Sequence, residues 1–230
     1  MSSEASAHID PGSGPAPVAA RRRQGRADVT REALLDAALH EFAAHGFDGA
    51  STRAIATRAG THQPQINYHF ASKEALWQAA VDHLFGRLDD LLRSHGALGA
   101  EVAADRAGFE RMVRGFVRAA AGLPELNRIM VHEATADSDR LAWIVARHTR
   151  PRFDLITGAW RTLRDAGEVA DIDEVVVYYS LIGAASLAYA NAPEARHLGC
   201  DTLAAEFVDR HADALVAMLC GPIPTEGNES

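Results

Sequence analysis

Apolar residues along this chain recur at helical spacing, and no stretch shows the strict alternation of a half-buried strand. Leu34, Leu35, Ala38, Leu39 and Phe42 make the first stripe. Thr30 is placed as its N-cap, Glu32 lies in the first turn where the helix dipole favours an anion, and the helix is expected to stop near Gly46. Ser51 or Thr52 starts a second helix, which runs through Ile55 to Ala59 before Gly60, the residue type that commonly follows a helix end. The third is short: Thr61 or His62 caps it, Pro64 falls in the first turn where its missing N–H leaves no bond unmade, and it ends near His69. Ser72 caps a longer fourth helix through Leu76, Ala80, Leu84, Leu88 and Leu91.

Further on, Phe109, Met112, Val113, Phe116, Val117 and Ala120 form a clean amphipathic stripe. Pro124 opens a helix carrying Leu126, Ile129, Met130 and His132. Asp137 or Ser138 caps the next, which Pro151 interrupts before Phe153, Ile156, Trp160 and Leu163 resume the pattern up to Gly167. Asp171 or Asp173 begins a helix that is apolar nearly all round over 175–189, and so is expected to be buried on every side, with Pro193 ending it. Asp201 is placed as the cap of the last helix, with Leu203, Phe207, Val208, Leu215 and Leu219 on one stripe. The sum is an all-α chain of about nine helices: three short ones, then a bundle.

Composition narrows the class. A chain of 230 residues, 47% hydrophobic and 23% charged, is an ordinary globular protein, which excludes wholesale disorder and a collagen-like or coiled-coil chain. The apolar 175–190 stretch is too short to span a bilayer, which takes about 20 residues, and no membrane association is expected. Residues 1–20 are rich in Ser, Ala, Gly and Pro without a continuous apolar segment, and read as a tail rather than a secretory signal. Two cysteines, Cys200 and Cys220, make no disulfide framework and no zinc site, so a reducing, cytoplasmic home is expected. No metal, cofactor or catalytic constellation is called: His132 and Glu133 are adjacent on a helix and point apart.

Charge is uneven. The net charge is −8, yet residues 21–73 hold eight basic against five acidic side chains, and everything from Glu74 onward is acidic in balance. A basic head on an acidic body suits a protein whose N-terminal part alone meets a polyanion. Arg21, Arg22, Arg23 and Arg26 form either an arm that neutralises phosphates or a solvated tail. Lys73 is the sole lysine of the chain.

Two short helices joined by the tight turn Ala59-Gly60-Thr61 make a helix-turn-helix, whose second helix can lie in the major groove of DNA. Its first turn, His62-Gln63-Pro64-Gln65, would face base edges: a Gln amide can bond adenine at N6 and N7, and Pro64 offers apolar surface to a thymine methyl. Ile66 and Phe70 are spaced to hold this helix on a core of Ile55, Leu39 and Phe42. The segment Thr30-Arg31-Glu32-Ala33-Leu34-Leu35-Asp36-Ala37-Ala38, with Phe42, Gly46-Phe47, Ser51-Thr52, Ile55-Ala56, Ala59-Gly60, Asn67-Tyr68-His69-Phe70 and Ser72-Lys73-Glu74-Ala75-Leu76, resembles the TetR family of bacterial transcriptional regulators. The resemblance implies a helix-turn-helix DNA-binding domain over 29–76, preceded by a disordered tail with the basic arm over 1–28. It further implies a ligand-binding and dimerisation domain over 77–221, with a loose C-terminal tail over 222–230.

By the same resemblance Thr52 and Arg53 lie against DNA, Gln63, Pro64 and Gln65 read bases, and Tyr68, His69 and Lys73 meet the backbone, Lys73 at a helix N-terminus where phosphate is favoured. His62 and Asn67 belong to the same surface, although Asn67 replaces the usual tyrosine and marks a variant with an Asn-Tyr-His-Phe run. In the body, Phe109, Met112, Phe116, Met130, His132, Trp143, Trp160 and Tyr178, together with Trp77, Phe85 and Phe153, either line a pocket for a small, mostly apolar effector or are ordinary core. His132, Glu133, Asn127 and Arg147 are its candidate polar anchors. Gly183, Ala184, Ala185 and Ser186 are small enough for close helix approach, and with the last helix they mark a homodimer contact, which would read a pseudo-palindromic operator. The expected function is a dimeric repressor released by ligand; the alternative is a ligand-independent DNA-binding or nucleoid-associated protein controlled by a protein partner.

Overall fold

The computed structural model describes residues 18–99 and 105–221, with side chains from Asp28 onward; the predicted tails over 1–17 and 222–230 lie outside the described residues. All regular structure among them is helical. The order is α1 (Val18–Gly49), α2 (Thr52–Arg58), α3 (Gln63–His69), α4 (Lys73–Ser94), α5 (Arg106–Gly122), α6 (Pro124–Ala134), α7 (Asp139–Ile144), α8 (Arg150–Asp165), α9 (Glu174–Ala190), α10 (Ala192–His197) and α11 (Ala205–Cys220). A π-helical turn, Val145–Thr149, joins α7 to α8 without a break.

Two predicted starts are corrected and one helix is added. Thr30 is not a cap, because α1 begins at Val18 and runs through the arginine cluster. The Ala, Arg and Gln residues of that stretch are good helix formers, so nothing in them stops the helix from extending toward the N-terminus. The boundary drawn at residue 28 therefore falls inside α1, and the arm's backbone is helical. Asp201 caps no helix: its carboxylate accepts from Leu203 N–H in a turn, and α11 starts three residues later, after Ala204. Pro193 both ends α9 and sits in the first turn of α10, the helix that the nine-helix reading lacked.

Other ends fall where the pattern put them. Ser51, Ser72 and Ser138 accept from Ala54, Ala75 and Leu141 N–H, and Asp173 accepts from Val175 and Val176 N–H. Gly46 breaks α1 with φ 67°, and Gly60 has φ 67° in the turn between α2 and α3; both are left-handed positions that cost other residues strain. Pro151 has no N–H for the Arg147 carbonyl, and its ring crowds that carbonyl, which is why the turn before it widens to π geometry.

Two buried apolar clusters organise the molecule. The first joins Leu34, Leu39 and Phe42 of α1, Ile55 of α2, Ile66 of α3 and Trp77, Leu84 and Leu88 of α4 to Leu123, Ile129 and Ile144. The second packs Phe109 and Val117 of α5, Trp160 of α8, Leu181 and Tyr189 of α9 and Leu215 of α11. Arg161 and Arg164 of α8 grip Glu174 at the start of α9, and these bonds hold its carboxyl at about 2. The α9 helix is not buried on every side: Val176, Tyr179 and Leu187 face outward, 55%, 68% and 58% exposed.

Candidate functional site

The three-helix head places its polar residues on the outside because its apolar ones are consumed inside. Ile55, Ile66 and Phe70 are buried against Leu39 and Phe42, as the spacing required. His62, Gln63, Pro64, Gln65, Asn67 and Tyr68 of α3 are exposed, Tyr68 by 76%. Thr52 is half-buried and Arg53 exposed at the start of α2.

Gln63 Nε2 donates to Thr52 Oγ1 at 3.3 Å, which joins the N-terminal ends of α2 and α3. The bond uses one of the amide's two N–H groups, and the other N–H with the carbonyl remains for a bidentate contact to adenine. The turn before α2 is anchored from within: the buried Glu41 carboxylate of α1 accepts from Ser51 N–H at 3.2 Å. His69 is half-buried with its ring edge-on to Tyr68 at 5.0 Å.

Lys73 is more constrained than a free phosphate-binding lysine. Its ammonium donates to the Asp48 carbonyl at 3.3 Å, at the C-terminal end of α1, and lies 4.9 Å over the Phe47 ring. A cation at a helix C-terminus is stabilising, and two ammonium donors are left for other acceptors. Phe47 is covered on another side by Arg140, 4.1 Å from its centroid, which also pairs with the buried Glu133 carboxylate at 3.0 Å. Head and body meet at this aromatic stack.

The body holds a partly open cavity of about 140 Å³ on the seam between the two apolar clusters, with Leu88 and Leu123 from the first and Met112, Tyr178 and Leu181 from the second. Of the residues expected there, Met112, Phe116, Met130 and Tyr178 line it, as does Phe85. The other six, Trp77, Phe109, His132, Trp143, Phe153 and Trp160, do not. Phe109 and Trp160 are fully buried and pack on one another at 5.5 Å in the second cluster. Trp143 leans on Trp77 at 5.7 Å, and His132 is exposed beside Gly46. Among the candidate anchors Asn127 reaches the cavity, whereas Arg147 is turned out to Asp82 at 2.6 Å and Glu133 is taken by Arg140.

Arg152, which sequence reasoning missed, is on the wall. Nothing in its local pattern marks it, since its partner Asp89 lies 63 residues earlier. His148, in the π turn, is buried and stacks on Phe85 at 4.2 Å; burial lowers its pKa, against the pull of Asp82 at 2.9 Å. Burial raises the Tyr178 hydroxyl, an effect that the neighbouring Arg152 charge opposes.

Residues 34–80 match the model of the bacterial regulatory proteins of the tetR family. The repressor NicS of Pseudomonas putida is 25% identical over 194 residues, covering 84% of this chain and 89% of that protein. The class D tetracycline repressor of Escherichia coli is 36% identical over 64 residues, 28% of this chain and 29% of that protein. Among solved structures, AibR in complex with isovaleryl coenzyme A and operator DNA superposes with a TM-score of 0.67 at 19% identity, over 84% of this chain and 100% of that one. FadR of Bacillus subtilis in complex with stearoyl-CoA gives 0.60 at 14% identity, over 84% and 99%. These relatives are regulators and not enzymes. Residues 34–80 are thus similar to the helix-turn-helix region of the tetR family, set in an all-helical fold like that of these solved proteins.

Proposed function

We propose that this chain is a dimeric, sequence-specific DNA-binding repressor whose body cavity takes a small, mostly apolar ligand. The observation that carries the reading is the course of α4: its first residues, Ser72 and Lys73, belong to the head, while Phe85, Leu88 and Leu92 on the same helix form the cavity wall. At 1.5 Å per residue a 22-residue helix is about 33 Å long, so one rigid rod spans both sites. A ligand that favours one setting of α4 shifts the head by its differential affinity for the two settings.

In the head, Thr52, Arg53, His62, Gln63, Pro64, Gln65, Asn67, Tyr68, His69 and Lys73 form the DNA surface, with Gln63 and Gln65 reading bases. The outward apolar residues of α9, with Met218 of α11, 68% exposed, supply the homodimer face. Selection of bound duplexes from a random pool, followed by titration of ligand mixtures against the winner, tests the reading. A pseudo-palindrome whose binding weakens as the protein's melting temperature rises supports it. No enriched sequence sinks it. Enrichment with no ligand response leaves the partner-controlled DNA-binding alternative in its place.

A further inference from the structure

The cavity wall is apolar except at two places. Toward one end, Asn127 Nδ2 donates to Ser186 Oγ at 2.8 Å and Ser186 Oγ donates to the Ile182 carbonyl, a chain satisfied within the protein. Toward the other stand Thr149, Tyr178 and Arg152. Arg152 donates through Nη2 to the Asp89 carboxylate and through Nη1 to the His148 carbonyl at 2.7 Å, and its guanidinium lies 4.9 Å over Phe85. Its Nε–H is buried and makes no hydrogen bond. A guanidinium cannot shed its charge, and Arg152 is the one charged side chain among the described residues that line the cavity, so a ligand of opposite charge is the partner this wall favours. Asp82, the other carboxylate at this turn, is taken by Arg147 and lies 2.9 Å from His148 Nε2.

On the reading of the cavity as an effector site, we infer that its ligand is a small free monocarboxylic acid, bound with the carboxylate toward the Arg152 guanidinium beside Tyr178 and the apolar body between α4, α5 and α9. The volume, about 140 Å³, compares with engineered apolar cavities of about 150 Å³ that hold a benzene ring, so there is room for a body of about six carbons or more. Tyr178 and Ser186 are eight residues apart on α9, about 12 Å along its axis, so an extended chain fits between the polar ends. A thioester presents only a neutral carbonyl to the guanidinium, which makes the free acid the better match.

Calorimetry of the full chain with octanoate, 1-octanol and octanoyl-CoA tests the inference, using the unaltered protein and an Arg152→Gln/Asp89→Asn double variant that removes the pair without stranding a charge. The expected result is octanoate bound at least tenfold more tightly than 1-octanol, as a charged hydrogen bond warrants. The double variant should bind the two alike, and its retained alcohol binding shows the cavity intact. The inference is overturned if the alcohol or the thioester matches or exceeds the acid, if none of the three binds, or if the double variant keeps the preference. Binding of the selected operator duplex without probe is measured alongside. A duplex bound normally with no acid preference sinks this inference alone; failure to bind any duplex sinks the regulator reading and leaves an acid site without that role.

Discussion

Trp77 and Trp160 are both fully buried, one in each apolar cluster, yet Trp160 Nε1 donates to the Ile172 carbonyl at 2.8 Å while Trp77 Nε1 has no partner. The same contrast runs through their surroundings. Around Trp160 the second cluster is closed by α5, α8, α9 and α11, with ion pairs such as Arg118–Asp209 on its rim. Around Trp77 the first cluster is a joint between head and body, where Phe47 lies between two cations and Trp77 Nε1 has no acceptor. Unsatisfied polar groups and stacked charges can exchange partners at small cost, whereas a satisfied core cannot. We read the first cluster as the element that repositions and the second as the frame it moves against.

The largest expected effect breaks the frame's outer face. Gly183 is exposed on α9 and a Cβ there meets nothing within 4 Å, so Gly183→Glu leaves the protomer folded but buries a charge in the proposed homodimer contact. Sedimentation should show monomers, and operator affinity should fall by about a hundredfold or more. A dimer of ordinary affinity refutes that interface.

The tryptophans themselves come next. Trp160→Phe should cost about 1–3 kcal/mol by stranding the Ile172 carbonyl as well as losing volume, and Trp77→Phe should cost less, because it also removes an unsatisfied donor. Equal losses in urea unfolding would erase the contrast between the clusters. In the head, Gln63→Ala should relax one operator position by about 1–3 kcal/mol, and Thr52→Ala, which frees the Gln63 amide, should weaken the same position by about 1 kcal/mol or less. If Thr52→Ala weakens every sequence equally, Thr52 is a backbone contact and not a positioning residue.

The smallest effect is on pH. Burial lowers the pKa of His148 and of His211, so each is preferentially neutral in the folded chain. A depressed histidine contributes stability above its unfolded value of about 6.5 and loses it as the pH falls toward its folded value. Melting temperature should therefore hold near pH 7 and decline toward pH 5. His148→Phe, which keeps the stack on Phe85, should flatten that decline; an unchanged slope would assign it to other groups.

Much of this was legible from residue order. The head's elements rest on local rules, a serine cap, a left-handed glycine, an apolar residue every third or fourth position, and these hold wherever the segment sits. Its polar surface followed by subtraction, since Ile55, Ile66 and Phe70 had to face inward. Errors arose where a local rule had a competitor. Thr30 was a good cap for a helix whose upstream residues were equally good helix formers, and α9 was apolar all round because a second surface of it stays outside the protomer.

By itself, the amino-acid sequence determined the all-α class, the helix-turn-helix and its polar face, because periodicity, caps and turns are set within a few residues of each other. Only the tertiary structure decided which aromatic side chains line the cavity and which fill the core, and that Arg152 rather than Arg147 stands on its wall. Those outcomes depend on how α4, α5, α8 and α9 pack together, through pairs such as Arg152 with Asp89 that lie 63 residues apart and leave no periodic trace along the chain.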